Sequence, residues 1–394
     1  MNQLKSEGVI KLANYLEKNE TLTSLCVATN KIDTAGGKEI GNMLCKNNTL
    51  KRLDLGFNDL KDGISHVGVG LTNNNSLTDL KLSWNKITVG ALSSFSLMIQ
   101  TNHTLVRLNL SNNGIEEDDW EKFGNALKDN RGLQVVDLSF NNIGEKGGKA
   151  IGESLKKNNT LKELYISYGW LKDSGVKGIA EGLELNTSLT ILDIDSGQVC
   201  GLGLDSIFKC LAKNVSLTKL KSASNLFGND TSAYLAECLK KNNSLVEIDL
   251  QGCGIHREHV NHFIEAFKVN RTVSDLNICS NSLNEKAAEF LLSLKCNCSL
   301  KRLRMMRVGL TIKDFQKMLD NVDMLPSLNK LQMIEEDYDS TERLLEGKIT
   351  CTVQRRAIEN AKMKISLLML NRRQGNLLST LPRRVVLYLL SFIE

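Results

Sequence analysis

The sequence contains one group of residue types that could bind a metal ion: Cys253, His256, His259 and His262. Zinc prefers thiolate and imidazole ligands and holds them in a tetrahedral arrangement. On a helix, three residues rotate the chain by about 300°, so successive histidines drift by about 60° around the helix axis. The three imidazoles then share a broad face without converging on one point, and we expect no metal site here.

The ten cysteines of the chain are scattered and do not form the paired clusters of a disulfide framework. Cys296 and Cys298 are separated by one residue, which is the wrong spacing for zinc or for a redox pair. Buried, reduced thiols are therefore expected. The sequence also lacks a phosphate-binding loop, a dinucleotide fingerprint and a nucleophile elbow, so we expect neither catalysis nor a cofactor.

Asn-x-Ser/Thr triplets, which are glycosylation acceptors in secreted proteins, recur in a series of ten from Asn19 to Asn297. Their spacing is nearly constant, and each precedes a predicted strand, so they are interpreted as part of a repeat. No apolar run that could serve as a signal peptide follows Met1, and no run of 18 or more apolar residues occurs. We expect a soluble, cytoplasmic protein without a membrane contact. Its net charge of +5 is too small to favour nucleic acid as a partner.

A repeat of 27 or 28 residues organises most of the chain. Its pattern L-x-x-L-x-L-x-x-N-x-L is plain in Leu50, Leu53, Leu55, Asn58 and Leu60. The repeats begin at residues 22, 50, 77, 105, 133, 161, 189, 217, 245, 273, 300 and 328. Chance does not produce eleven such intervals, so the repeat predicts the fold.

Each repeat has a strand half and a helix half. In Leu53-Asp54-Leu55, alternation directs the leucines inward and Asp54 outward. The segment from Thr34 to Asn47 reads as a helix with a capping residue at its start. Neither half can bury its apolar side alone, so stacked repeats should form an α/β solenoid, a curved horseshoe with an inner parallel sheet and outer helices.

The consensus asparagine lies where the chain leaves the strand, and its amide can both donate and accept hydrogen bonds. It can therefore satisfy backbone groups in its own turn and in the adjacent repeat. The position is kept at Asn30, Asn58, Asn85, Asn113, Asn141, Asn225 and Asn281. It is replaced at Gly169, Gly197, Cys253, Val308 and Glu336, so the asparagine ladder is regular at first and irregular later.

These 28-residue repeats, with a full helix and a glycine-rich turn, resemble the ribonuclease-inhibitor-like class of leucine-rich repeats. That class includes ribonuclease inhibitor, the Ran GTPase-activating protein and the sensor regions of NOD-like receptors. The resemblance covers roughly residues 4 to 338 and implies a scaffold rather than a single activity. We expect a capping half-repeat over residues 1–21, about twelve repeats over 22–338 and a helical segment over 339–394.

Outward-facing strand positions line the concave face, where a protein partner would bind. Large aromatic side chains occupy neighbouring strand ends there, and such side chains often anchor interfaces. They are Phe57, Trp84, Phe140, Tyr165, Tyr168 and Trp170. Some of them could instead pack under an adjacent loop.

Charged residues mark two further parts of this face. Asp54, Asp137 and Asp193, with Asp195 and Asp249, form an acidic stripe in the middle. Arg302, Arg304 and Arg307 form a basic patch near the end, with Lys295 and Lys301 beside them. These charges could steer a protein partner, or they could be a solvated rim.

The C-terminal segment has a different pattern. Thr352 to Arg373 reads as one helix, and Pro382 is placed to open another. The residues expected to dock are Leu381, Pro382, Val386, Leu389 and Leu390. This segment resembles the first helix of an F-box and the end of a SOCS box, which would imply binding to a Skp- or elongin-type ligase subunit. The alternative is a helical cap on the last repeat.

The predicted function is therefore that of a non-enzymatic scaffold that binds a protein on its concave face, most simply as a monomer. A substrate adaptor of a ubiquitin ligase is the first alternative. A regulator of a small GTPase is the second, because of the resemblance to the Ran-activating family. An intracellular pathogen's effector acting in the host cytosol would have the same organisation.

Overall fold

The computed structural model describes residues 4–320, 327–333, 348–350 and 352–353. It divides into two compact units, residues 1–255 and residues 256–394. The first unit contains strands β1 (Ser24–Cys26), β2 (Arg52–Asp54), β3 (Asp79–Lys81), β4 (Arg107–Asn109), β5 (Val135–Asp137), β6 (Glu163–Tyr165), β7 (Ile191–Asp193), β8 (Lys219–Lys221) and β9 (Glu247–Asp249). Its helices are α1 (Lys5–Leu16), α2 (Thr34–Lys46), α3 (Gly63–Thr72), α4 (Val89–Thr101), α5 (Trp120–Asp129), α6 (Gly144–Leu155), α7 (Lys172–Leu183), α8 (Gly201–Leu211) and α9 (Thr231–Lys241).

The second unit continues the alternation of strand and helix. Its described strands are β10 (Asp275–Asn277), β11 (Arg302–Arg304) and β12 (Lys330–Gln332). Its described helices are α10 (Val260–Val269), α11 (Lys286–Ser293) and α12 (Ile312–Leu319). Nearly all of the C-terminal segment, including the residues predicted to dock, lies outside the described residues.

All strands within each unit are parallel, and each pairs with the next one along the chain. The register places equivalent repeat positions side by side, as in Leu53 opposite Leu80 and Leu80 opposite Leu108. These three leucines are at most 2% exposed, whereas Asp54 on the other face is half-buried. The predicted alternation, with the leucines inward, is confirmed. The α/β solenoid is confirmed as well.

The helices close the core on the other side of the sheet. Ile40 and Leu44 of α2 are buried, as their helical spacing predicts. The capping residue of α2 is Asp33, whose carboxylate accepts hydrogen bonds from the N–H groups of Ala35 and Gly36. Adjacent helices approach so closely that a Cβ on Gly152 would overlap the carbonyl oxygen of Gly178.

The consensus asparagines hold neighbouring repeats together, as predicted. The amide nitrogen of Asn141 donates to the carbonyl oxygens of Leu138, at 2.9 Å, and of Leu110 in the preceding repeat, at 3.0 Å. Its amide oxygen accepts from the N–H groups of Asn113, at 3.0 Å, and Ile115, at 3.2 Å. Where Cys253 replaces the asparagine, its thiol donates to the carbonyl oxygen of Ser222 at 3.2 Å.

The Asn-x-Ser/Thr triplets form a second, parallel set of hydrogen bonds. The amide nitrogen of Asn102 donates to the carbonyl oxygens of Leu71 and Asn74 in the preceding repeat. Its amide oxygen accepts from the N–H groups of Thr104 and Leu105. The side chain is only 4% exposed, so the triplet's asparagine is a buried structural residue of the repeat.

The prediction of buried thiols is wrong for half of the chain's cysteines. Cys210, Cys238, Cys253 and Cys279 are buried, but the side chains at positions 26, 45, 200, 296 and 298 are exposed. All nine of these described cysteines are free thiols. Apolar residue type alone misled the prediction: Cys26 occupies an outward strand position, and Cys45 and Cys200 lie on the solvent side of the helical layer.

Candidate functional site

The exposed face of the first unit's sheet has two outward positions per strand. In each repeat, the position just before the consensus asparagine lies three residues after the last outward residue of the strand. That position has a left-handed backbone in repeat after repeat, with φ between 51° and 62°. Left-handed backbone favours Gly, Asn and other small polar residues, and it is costly for large side chains.

Four of these left-handed positions carry large aromatic side chains, which we call the aromatic rim: Phe57, Trp84, Phe140 and Tyr168. All four remain about half exposed, from 47% for Phe140 to 55% for Phe57. The later repeats of the same unit place Ser196, Ser224 and Gly252 at this position. Packing of the core therefore does not require an aromatic ring there.

The aromatic rim consists of two stacked pairs. The ring centroids of Phe57 and Trp84 are 5.5 Å apart, with 13° between the ring planes. Those of Phe140 and Tyr168 are 4.3 Å apart, with 11° between the planes. The intervening repeat carries half-buried Asn112 at the equivalent position, so a gap one repeat wide separates the pairs.

The two remaining aromatic candidates differ from each other. Trp170 is 54% exposed and lies two residues beyond Tyr168. Tyr165 belongs to β6 and is half-buried, not exposed as expected. Its hydroxyl donates to the Glu163 carboxylate at 2.8 Å, and burial together with this carboxylate raises the pKa of the phenol. Its ring therefore forms part of the sheet surface rather than a projecting anchor.

A shallow depression of about 270 Å³ opens on the sheet face across β3 to β6. Charged and polar side chains line it, with Leu108 and Val135 among them: Asp79, Lys81, Arg107, Asn109, Asp137, Glu163 and Tyr165. The Asp137 carboxylate accepts hydrogen bonds from the Asn109 side-chain amide, at 2.9 Å, and from the Ser139 N–H, at 3.0 Å. The floor of this depression is thus polar and internally ordered.

The acidic stripe is less exposed than its sequence suggests. Asp193 is only 6% exposed and forms an ion pair with Lys221 at 3.2 Å. Asp54 lies 3.9 Å from Lys81, at the outer limit of an ion pair. Burial, reinforced by the neighbouring Asp193 and Asp249 carboxylates, raises the pKa of Asp195 to about 7.

The basic candidates lie in the second unit, and two of them have a counter-charge that the sequence columns did not reveal. Arg302 and Arg304 form ion pairs with the buried Asp275 carboxylate, at 2.7 Å and 3.3 Å. The register of β10 with β11 places Asp275 directly opposite Arg302. Arg307 is exposed and has a left-handed backbone. This patch is therefore partly neutralised.

The histidine cluster does not lie on one regular helix. His256 precedes a 3₁₀ turn at Arg257–His259, and its backbone N–H donates to Nδ1 of His259 at 3.0 Å. Within the part of the chain that the structure describes, no group of three or more His, Cys, Asp or Glu side chains is arranged to hold a metal ion. None of its described helices combines the length and apolar composition needed to cross a bilayer.

A family model described as a leucine-rich repeat matches residues 46–64, 73–96, 101–119, 129–152 and 157–180. The chain is a leucine-rich-repeat protein. The matched segments contain Phe57, Trp84 and Asn112 from the region just described. A comparison with curated proteins finds no match.

Among solved structures, one resembles this leucine-rich-repeat protein in fold over most of its length, and two others are less similar. A chain in the crystal structure of the yeast Rad7 and Elc1 complex has a TM-score of 0.51 at 16% identity, covering 85% of this chain and 86% of that one. The leucine-rich-repeat-containing protein LegL7 from Legionella pneumophila has a TM-score of 0.43 at 18% identity, covering 72% and 93%. The leiomodin-1 actin-binding site 2 has a TM-score of 0.30 at 24% identity, covering 32% and 76%.

Sequence columns located most side chains of this leucine-rich-repeat surface but missed several features besides the ion pairs. They did not reveal the stacking of the rim into pairs, the gap at Asn112 or the raised pKa of Asp195. The left-handed position was visible as the residue before each consensus asparagine. Its aromatic, asparagine and serine occupants could have been compared along the chain to find the gap.

Proposed function

We propose that this protein binds a partner protein through the exposed sheet face of its first unit, with the aromatic rim as anchor. The single observation that carries this proposal is the rim itself. Four large rings stand about half exposed at left-handed positions, where small residues suffice in the later repeats. Strained, exposed aromatic side chains that the core does not need are typical of binding surfaces.

The energetics favour a rim that is covered in a complex. An aromatic side chain has about 150–250 Å² to bury, and about half of each rim side chain still contacts solvent. At about 25 cal/mol per Å², covering the remainder of each ring would contribute about 2 kcal/mol. Four such rings, together with Trp170, would supply a hot spot of the usual composition.

The charged candidates would have a secondary role. Asp54 and Asp137 are accessible on the sheet face near the rim, whereas Asp193 is already paired with Lys221. The partly exposed carboxylates would orient a partner and discriminate against phosphate-rich ligands. In the second unit, Asp275 already neutralises part of the charge of Arg302 and Arg304, so these two side chains would contribute less to an outside contact.

The test compares proteins retained from a eukaryotic cell lysate by the immobilised full chain and by two variants. Trp84→Asn with Phe140→Asn removes one ring from each stacked pair, and asparagine tolerates the left-handed backbone. Leu97→Ala is the matched control, because Leu97 is 69% exposed on the helical layer. We expect the rim variant to lose at least about tenfold of the specifically retained protein, and the control to lose none. Equal retention by all three would refute the proposal.

A second candidate function, that of a ubiquitin-ligase substrate adaptor, is favoured by the sequence of the C-terminal segment. Leu381-Pro382 followed by Val386, Leu389 and Leu390 resembles an F-box or SOCS-box helix. The likeness to the Rad7 and Elc1 structure concerns the fold alone and lends this candidate no further support. Leu389→Asp in the full chain should abolish retention of Skp- or elongin-type subunits and leave rim-dependent partners bound. Absence of such subunits from the unmodified chain would dismiss the candidate.

A further inference from the structure

The gap in the aromatic rim has the dimensions of one planar group. Trp84 and Phe140 lie two repeats apart, and two strand spacings are about 10 Å. A planar group midway between their rings would lie about 5 Å from each, within the range of 4.5–7 Å at which aromatic groups stack. One inserted group would therefore complete a continuous stack from Phe57 to Tyr168.

The residue at the base of this gap presents an unused polar group. Asn112 is half-buried, and its backbone N–H donates to the Ser139 carbonyl at 3.0 Å. Among the hydrogen bonds within the described residues, none involves its side-chain amide. The amide oxygen is therefore available to accept a hydrogen bond from an inserted donor.

The electrostatic field on this face favours a cation. Seven acidic and five basic side chains occupy the outward positions of β2 to β9, although the protein as a whole has a net charge of +5. Asp137 lies three residues before Phe140, which limits their separation to about 11 Å, close to one screening length at 0.1 M salt. It would attract a positive group to the rim without pairing with it directly.

From these features we infer that the gap over Asn112 takes an arginine side chain from a basic segment of the partner protein. The inference rests on the proposed function and specifies the chemistry of its partner. A guanidinium is planar, stacks on aromatic faces and donates hydrogen bonds, so it suits both ring walls and the Asn112 amide. A lysine ammonium is compact and more strongly hydrated, so it fills the gap less well.

The probe is a random dodecapeptide library, selected for binding to the full chain. We expect arginine to be enriched at one position of the selected peptides. In the best of them, replacing that arginine by alanine should weaken binding about tenfold, and replacing it by lysine about threefold. Fluorescence anisotropy of a labelled peptide reports binding and leaves all rings of the full chain in place.

Two variants at the same position separate the gap from its surroundings. Asn112→Phe fills the gap with the protein's own ring, at a backbone conformation that the flanking aromatic residues already adopt. Asn112→Ala leaves the gap open. We expect the first to weaken peptide binding at least tenfold and the second by less than threefold. If Asn112→Phe does not fold, Phe140→Asn removes one wall instead and should have the same effect.

Three results would overturn the inference: selected peptides that lack arginine, peptides whose binding survives filling of the gap, or no enrichment at all. Each of them leaves the proposed function standing if the rim variant still loses its retained proteins from the lysate. Conversely, the proposed function is refuted if the rim variant retains as much protein from the lysate as the unmodified chain does. The two failures are therefore distinguishable.

Discussion

In the early repeats, adjacent residues differ in burial and in role: the asparagine ladder is buried, and the aromatic rim is exposed. Asn58, Asn85 and Asn141 are at most 7% exposed, and their amides hydrogen-bond to backbone groups of two repeats. The preceding residues, including Phe57 and Phe140, are half exposed and strained. The repeat fold accounts for the buried asparagine side chains through their hydrogen bonds. It does not require the exposed rings that precede them. The difference separates structural from functional requirements within a single dipeptide.

The largest effect should come from the buried column. Asn141→Ala removes hydrogen bonds to five backbone groups: the carbonyls of Leu138, Ser139 and Leu110, and two N–H groups of the preceding repeat. Because a buried unsatisfied group costs about 1–3 kcal/mol, we expect at least about 3 kcal/mol of destabilisation in urea unfolding. Asn142→Ala is the matched control, since within the described residues that side chain has a single hydrogen bond, to the exposed Glu116 carboxylate. A loss below 1 kcal/mol in the first variant would mean that the ladder does not hold the repeats together.

The next effect is a pH dependence of the unfolding free energy. It comes from Asp195, which lies in a later repeat than the aromatic rim. Because the pKa of Asp195 in the folded protein is about 7, above its ordinary value of 3.8, folding favours its protonated form. This contribution to stability is complete at low pH and is lost as the pH rises from about 4 through 7. Asp195→Asn should remove this loss and flatten the profile of unfolding free energy against pH. A profile for Asp195→Asn that is as steep as that of the unmodified protein would contradict this assignment.

The smallest effect on stability should come from the rim. Trp84→Asn loses a stacking contact with Phe57, which contributes about 0.5–1.5 kcal/mol, but it also relieves a left-handed backbone that costs a bulky residue about 1 kcal/mol. We therefore expect the melting temperature to shift by less than about 2 °C. Unfolding of this variant would show that the rings are structural and would erase the contrast with the ladder.

Much of the division between the buried core and the outward-facing residues could be predicted from the sequence. The 27- to 28-residue period placed the repeats, and alternation around Leu53 placed the core and the outward columns. Residue columns give register, but they do not give the direction or the partner of a side chain. For that reason the ion pairs of Asp193 with Lys221 and of Arg302 with Asp275 had to come from the structure. The same limit applies to the exposed thiol of Cys26.

The most direct test of the central claim places a photo-crosslinking amino acid at single positions of the full chain in a eukaryotic cell lysate. Benzoylphenylalanine replaces Tyr168 of the aromatic rim or, in separate proteins, Leu97 and Leu202 on the helical layer, where all three side chains are exposed. We predict a discrete crosslinked partner from position 168 and none from the other two. Crosslinks from the helical positions alone would place the binding surface on the opposite side of the solenoid and contradict this account.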